Sequence, residues 1–176
     1  MTDPNINRMI IVSNRLPYQL TEKNKKMILA KSSGGLVSSM SSYFQKRKQL
    51  ALHAQTKKTQ WVGTSDIQPS KFNALLEQQT KDENFDLLPV YLPETIKNNF
   101  YNGFCNDTIW PLFHYFPSYA KFNNDYYSAY IQANKLFCDK LCEIYQPGDV
   151  IWIHDYHLML LPNMIREILP NATIGF

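Results

Sequence analysis

Cysteine, glycine and charge are all sparse in this sequence. Of its 176 residues three are cysteine and six are glycine, and charged side chains make up 19%. Cys105, Cys138 and Cys142 are odd in number and unsuitably spaced for a disulfide framework, which points to a reducing compartment. Cys138 and Cys142 lie four apart on an expected helix, without the second pair or the nearby histidine of a metal site. They read as core or boundary thiols. No stretch approaches the ~20 apolar residues that cross a membrane. Residues Met1 to Arg8 are polar and hold no apolar signal core, so they are expected to form a loose N-terminus of a cytoplasmic protein. A net charge of +3 gives nucleic acid little to bind, and no motif for it occurs. Nine of the eighteen basic residues do fall between Thr21 and Lys58, opposed only by Glu22. Such a run is expected to be a solvated loop and helix end.

The composition is otherwise that of a folded domain: 44% of the residues are hydrophobic and 14% aromatic, which excludes disorder and low-complexity classes. Met9-Ile10-Ile11-Val12 is a short unbroken apolar run, the signature of a strand covered on both faces. After a lysine-rich polar stretch, Leu36, Val37, Met40, Tyr43 and Phe44 recur at helical spacing behind Gly34-Gly35. Gln60–Gly63 and Phe85–Leu92 read as further strands, the latter at an edge or with an irregularity because of Pro89. Pro93-Glu94-Thr95 opens a helix. Asn123-Asn124-Asp125 caps a long one running to about Tyr145, where Pro147-Gly148 stops it. Val150–Ile153 is a buried strand, Pro162–Leu169 a helix, and Thr173–Phe176 a last strand. Strands alternating with helices predict an α/β fold with a doubly wound sheet.

In such sheets ligands bind beyond the carboxyl ends of the strands. That rule selects Ser13-Asn14-Arg15 and His154-Asp155-Tyr156-His157. A guanidinium holds phosphate through paired hydrogen bonds, and a carboxylate accepts from sugar hydroxyls, so Arg15 and Asp155 together suit a phosphorylated sugar. Each also has an ordinary reading, Arg15 as a surface residue and Asp155 as a helix cap. His154 and His157 fall short of the three or four ligands of a metal site, and no metal is expected. Gly34-Gly35 at a helix start can bring backbone N–H groups to an anion. The aromatic run from Trp110 to Tyr115 fits either sugar stacking or plain core.

Four blocks, in order, resemble the trehalose-phosphate synthase family of retaining glycosyltransferases, glycosyltransferase family 20. They are Ile11–Pro17, Ser33–Leu36, Tyr101–Phe104 with Trp110–Tyr115, and Ile151–Leu158. The resemblance implies a Rossmann-like parallel sheet flanked by helices, the N-terminal domain of a two-domain GT-B glycosyltransferase. It implies transfer of glucose from UDP-glucose to glucose 6-phosphate, giving α,α-trehalose 6-phosphate and UDP, with no cofactor and no metal. By motif, Arg15, Tyr101 and Asp155 would bind glucose 6-phosphate, with Tyr101 at the phosphate end and Asp155 at the sugar. Gly34 and Gly35 would meet the diphosphate of UDP-glucose, and Trp110 would orient the acceptor. His154 and His157 would be supporting or packing groups. The family leaves room for a homo-oligomer or a synthase–phosphatase complex, and for neither nucleic acid nor membrane.

Two departures stand against the pattern. Where the family has Gly-Trp-Pro-Gly or a close variant, this sequence has Gly63-Thr64-Ser65-Asp66. A donor-binding second domain with its basic residues would follow Phe176. Residues 9–176 are therefore expected to be an incomplete acceptor-binding domain, inactive alone. The alternatives are a non-catalytic, synthase-like regulator that senses glucose 6-phosphate, and another retaining GT-B sugar-nucleotide transferase.

Overall fold

Ile10, Ile11 and Val12 are all fully buried, because consecutive strand residues point to opposite faces and both faces of this strand are covered. The computed structural model describes residues 8–23, 26–32, 34–49, 58–78 and 85–176. Its main sheet has five strands: β1 (Met9–Arg15), β4 (Thr59–Thr64), β5 (Phe85–Val90), β6 (Val150–Ile153) and β7 (Thr173–Gly175). All neighbours are parallel, in the order β5-β4-β1-β6-β7. This is the expected Rossmann-like sheet. The chain winds outward from β1 to β5, then returns to β6 on the other side of β1. The β1/β6 junction is thus the point where a crevice opens beyond the strand ends.

Helices cover both faces. Ile10, Val12, Ile151 and Ile153 pack with Phe137, Cys138 and Leu141 of α5 (Asn124–Ile144) and Leu161 and Ile165 of α6 (Leu161–Ile168). Ile11 and Trp61 face the other way, onto Met40 of α1 (Gly35–Gln49) and Phe72 of α2 (Pro69–Gln78). Pro89, which cannot donate a ladder hydrogen bond, lies on β5 at the sheet edge, as its chemistry requires. The Asn123 side chain accepts from the Asp125 backbone N–H at 2.8 Å and caps α5. Cys138 is buried beside the half-buried Cys142, and burial, helped by that second thiol, pushes the Cys138 thiol up to about 12.

Three features differ from the sequence reading. The lysine-rich stretch folds into an antiparallel hairpin, β2 (Tyr18–Lys23) with β3 (Lys26–Lys31). It was illegible because no Asn-Gly or Asp-Gly pair marks the turn. The short helix α2 also went unread; among its described side chains, Phe72 and Leu75 are the ones that reach the core. Residues 1–7 lie outside the described ones, but Arg8, grouped with them as loose, is buried. Its guanidinium pairs with buried Asp149 at 2.9 Å and also donates to the Ile144 carbonyl.

The helix opened by Pro93 continues through α3 (Glu94–Lys97), a π-helical segment (Asn98–Ile109) and α4 (Trp110–Phe113). Phe100 and Cys105 on it pack against Ala129, Tyr130 and Ala133 of α5. Gly103 permits that approach: a Cβ there would stand 2.6 Å from the Tyr126 ring.

Candidate functional site

Arg15 is aimed by an irregularity in β1. Val12 pairs with Val62, but the next pairing is Arg15 with Thr64, so β1 spends one extra residue between them. Bulges of this kind bend a strand and redirect its side chains, often beside a site. Side chains hold this one. Trp61 Nε1 donates to Ser13 Oγ at 2.8 Å, and Ser13 Oγ donates to the Arg15 carbonyl at 2.8 Å. Thr64 Oγ1 donates to the Asn14 carbonyl. The two strands press so close here that a Cβ on Gly63 would lie 2.6 Å from the Arg15 carbonyl carbon.

Asp155 follows β6. It adopts φ 78°, ψ 158°, a region that residues with side chains rarely enter. Its neighbours fix it there. His154 N–H donates to the Val12 carbonyl at 2.8 Å, and the Asp155 carboxylate accepts from Tyr156 N–H at 2.8 Å. The turn beyond, Tyr156–Leu158, is pinned by α5. Tyr130 Oη donates to the Tyr156 carbonyl at 2.7 Å and accepts from Met159 N–H, while Asn134 donates to the His157 carbonyl at 3.2 Å. The cap reading of Asp155 holds, since one carboxylate oxygen caps the turn, and the group is exposed.

Arg15, Tyr101 and Asp155 line a single cavity of about 710 Å³, with Gly34, Thr64–Ile67 and His157 among its other walls. Inside it a column of planar groups joins the two charged ends. The Arg15 guanidinium carbon sits 4.9 Å from the Tyr101 ring centroid. Tyr101 stacks on His157 at 5.7 Å with planes 10° apart, and His157 stacks on Tyr156 at 4.2 Å. His157 Nδ1 lies 3.5 Å from Asp155 Oδ2. That distance suits an ion pair, but burial holds the imidazole below its usual pKa, with Asp155 opposing and Arg15 assisting. The ring is therefore neutral near pH 7, and the contact is dipolar. His154 lies outside the cavity lining, against Trp152 at 4.6 Å, and burial lowers its pKa too.

Two of the expected residues stand apart. Gly35 opens α1 next to the lining residue Gly34, and a Cβ on either glycine would meet nothing within 4 Å. Trp110 is half exposed and lies outside the lining. It packs on His114 at 3.7 Å and reaches Tyr156 at 5.9 Å. The aromatic run around it is not core: Phe113 is 56% and Tyr115 92% exposed. Among the described residues no group of three or more His, Cys, Asp or Glu gathers as a metal site would require.

A family model described as glycosyltransferase family 20 matches residues 7–176. The chain belongs to glycosyltransferase family 20. It is similar to the UDP-forming α,α-trehalose-phosphate synthase A of Dictyostelium discoideum, 38% identical over 170 residues that cover 96% of this chain and 22% of that protein. Synthase 1 of Aspergillus fumigatus is 38% identical over 175 residues, covering 96% and 32%. Among solved structures, trehalose-6-phosphate synthase OtsA gives a TM-score of 0.71 at 29% identity, over 96% of this chain and 33% of its own. An E. coli structure described as bound with UDP-2-fluoro glucose gives 0.67 at 28%, over 96% and 32%. The chain thus spans about a third or less of the length of these relatives.

As a family 20 domain the chain brings together four of the residues marked by motif, Arg15, Gly34, Tyr101 and Asp155, and adds His157. The sequence reading had His157 as a supporting or packing group within the strand-end cluster His154–His157. It is that, and it is also part of the cavity wall. A histidine four residues beyond the end of a buried strand was the only available signal. The departure at Gly63–Asp66 proves local to the site, because Thr64, Ser65 and Asp66 all line the cavity. No helix among the described residues is long and apolar enough to cross a membrane.

Proposed function

We propose that this chain is the acceptor-binding part of a trehalose-phosphate synthase, which moves glucose from UDP-glucose to glucose 6-phosphate with retention and releases UDP. One observation carries the reading: the Arg15 cation and the Asp155 carboxylate face one cavity from the ends of adjacent strands. Arg15 would hold the phosphate through paired hydrogen bonds. Tyr101, fixed between the guanidinium and His157, would flank the same end. Asp155 would accept from sugar hydroxyls and set the ring so that its anomeric hydroxyl meets the donor.

The donor diphosphate is assigned to the Gly34 side of the cavity, where absent side chains leave open space, with Gly35 beside it. Trp110 is assigned to acceptor orientation on the family resemblance, reaching the site through Tyr156 and His157. A second domain would supply the positive groups that stabilise the leaving UDP. On this reading residues 9–176 alone do not turn over, and the transfer uses no metal or cofactor. A cytoplasmic setting is proposed on the three cysteines, all of them free. Assembly as a homo-oligomer or with a phosphatase rests on the resemblance alone.

The test is UDP release by the intact protein given both substrates. Turnover is expected, with Arg15→Ala raising the acceptor KM about tenfold or more while the UDP-glucose KM changes little. Binding of glucose 6-phosphate without any UDP release would instead favour the non-catalytic, sensing reading.

A further inference from the structure

A phosphomonoester carries a charge of about −1.5 to −2 at pH 7, yet among the described residues Arg15 is the only lysine or arginine lining this cavity. Among the described residues it forms no ion pair and rests on the Tyr101 ring. Asp66, a carboxylate, lines the same cavity and would repel the phosphate. A narrow cleft adjoins this end and shares Asn14, Arg15, Thr64, Asp66 and Tyr101 with it. The cleft adds Lys97. Lys97 Nζ lies 2.7 Å from Asp66 Oδ1, and the two side chains are 34% and 67% exposed. A pair as wet as this contributes little to stability and gives up its partner easily.

We propose that Lys97 is a second cation for the acceptor phosphate, masked by Asp66 in the empty site and transferred to the phosphate when the sugar phosphate enters. The proposal rests on the acceptor reading above and deepens it. An anion with several strong acceptor oxygens replaces Asp66, a largely solvated carboxylate, while Glu94 Oε2 stays 3.8 Å from the lysine, so Lys97 exchanges a weak contact for a stronger one. With Lys97 in place, Asp66 no longer leaves the phosphate end with a single cation. The pair also explains the tolerance of an acidic residue in that loop, because its charge is offset until the ligand arrives.

Calorimetric titration of the intact protein with glucose 6-phosphate, inorganic phosphate and glucose decides it. Lys97→Met is expected to weaken both phosphate-bearing probes about tenfold and leave glucose unchanged. Lys97→Arg should retain most of the affinity, and Asp66→Asn should tighten both phosphate probes by freeing the lysine. If Arg15→Ala abolishes glucose 6-phosphate binding but Lys97→Met leaves it within about twofold, Lys97 is excluded and the acceptor site stands. If the wild-type protein takes up neither phosphate probe, the acceptor reading and the lysine fall together. Should Lys97→Met lose its folded circular-dichroism signal, Asp66→Asn decides alone. Tighter binding then supports the proposal, and unchanged or weaker binding overturns it.

Discussion

Asp155 holds a backbone conformation, φ 78° and ψ 158°, that glycine adopts freely and a residue with a Cβ rarely does. Its carboxylate is therefore kept at the expense of strain of roughly 1–3 kcal/mol. Asp155→Gly is expected to be more stable than Asp155→Ala by about 1 kcal/mol or more in urea unfolding, while both lose acceptor binding. Equal stability of the two variants would show that the backbone is not strained there. The histidines make a second residue-scale prediction. His154 and His157 are both lowered in pKa, mainly by burial, so between the folded and unfolded values the unfolded chain binds more protons. Stability then rises with pH in that window. It should be flat above about pH 6.5 and fall as the pH drops below it. Urea midpoints of His157→Phe, which keeps an aromatic ring in the stack, should lose part of that slope relative to wild type.

At the scale of elements, the site depends on two close approaches of backbone. Where β4 meets the bulged end of β1, a methyl group on Gly63 would run into main-chain atoms of Arg15 and Leu16 at 2.6 Å. Where the π-helical segment meets α5, the nearest atoms to a methyl on Gly103 would belong to the ring of Tyr126, also at 2.6 Å. A side chain can swing aside, and a paired strand cannot. Gly63→Ala is therefore expected to cost about 2–3 kcal/mol and to weaken the acceptor by displacing Arg15, with Gly103→Ala nearer 1 kcal/mol. Unfolding midpoints and acceptor affinities of the two variants check the order.

Across the whole molecule, the two halves of the sheet are joined at the end away from the cavity by Arg8 and Asp149. Their 2.9 Å ion pair is buried, with side-chain exposures of 10% and 0%, and Asp149 also accepts from the Gln146 N–H. Removing one partner strands the other charge. Asp149→Ala is expected to lose about 3–5 kcal/mol, whereas Arg8→Met combined with Asp149→Leu should lose clearly less. Chemical denaturation of the three proteins tests this. A double variant no better than the single one would show that the hydrogen bonds to the 144–149 turn matter more than charge.

The sequence by itself determined the alternation of buried strands and helices, because an unbroken apolar run such as Ile10–Val12 or Val150–Ile153 can be satisfied only between two covering layers. It also marked Arg15, Tyr101 and Asp155, since strand ends and motif spacing are local. What it left open was decided by contacts between distant segments. The bulge that aims Arg15 depends on Trp61 and Thr64, and the turn that presents Asp155 depends on Tyr130 and Asn134. In the site His157 stacks on Tyr101, 56 positions earlier. Hairpin β2–β3 and the pairing of Lys97 with Asp66 were unreadable for the same reason. Each is fixed by which residues meet in space, and neither periodicity nor composition records that.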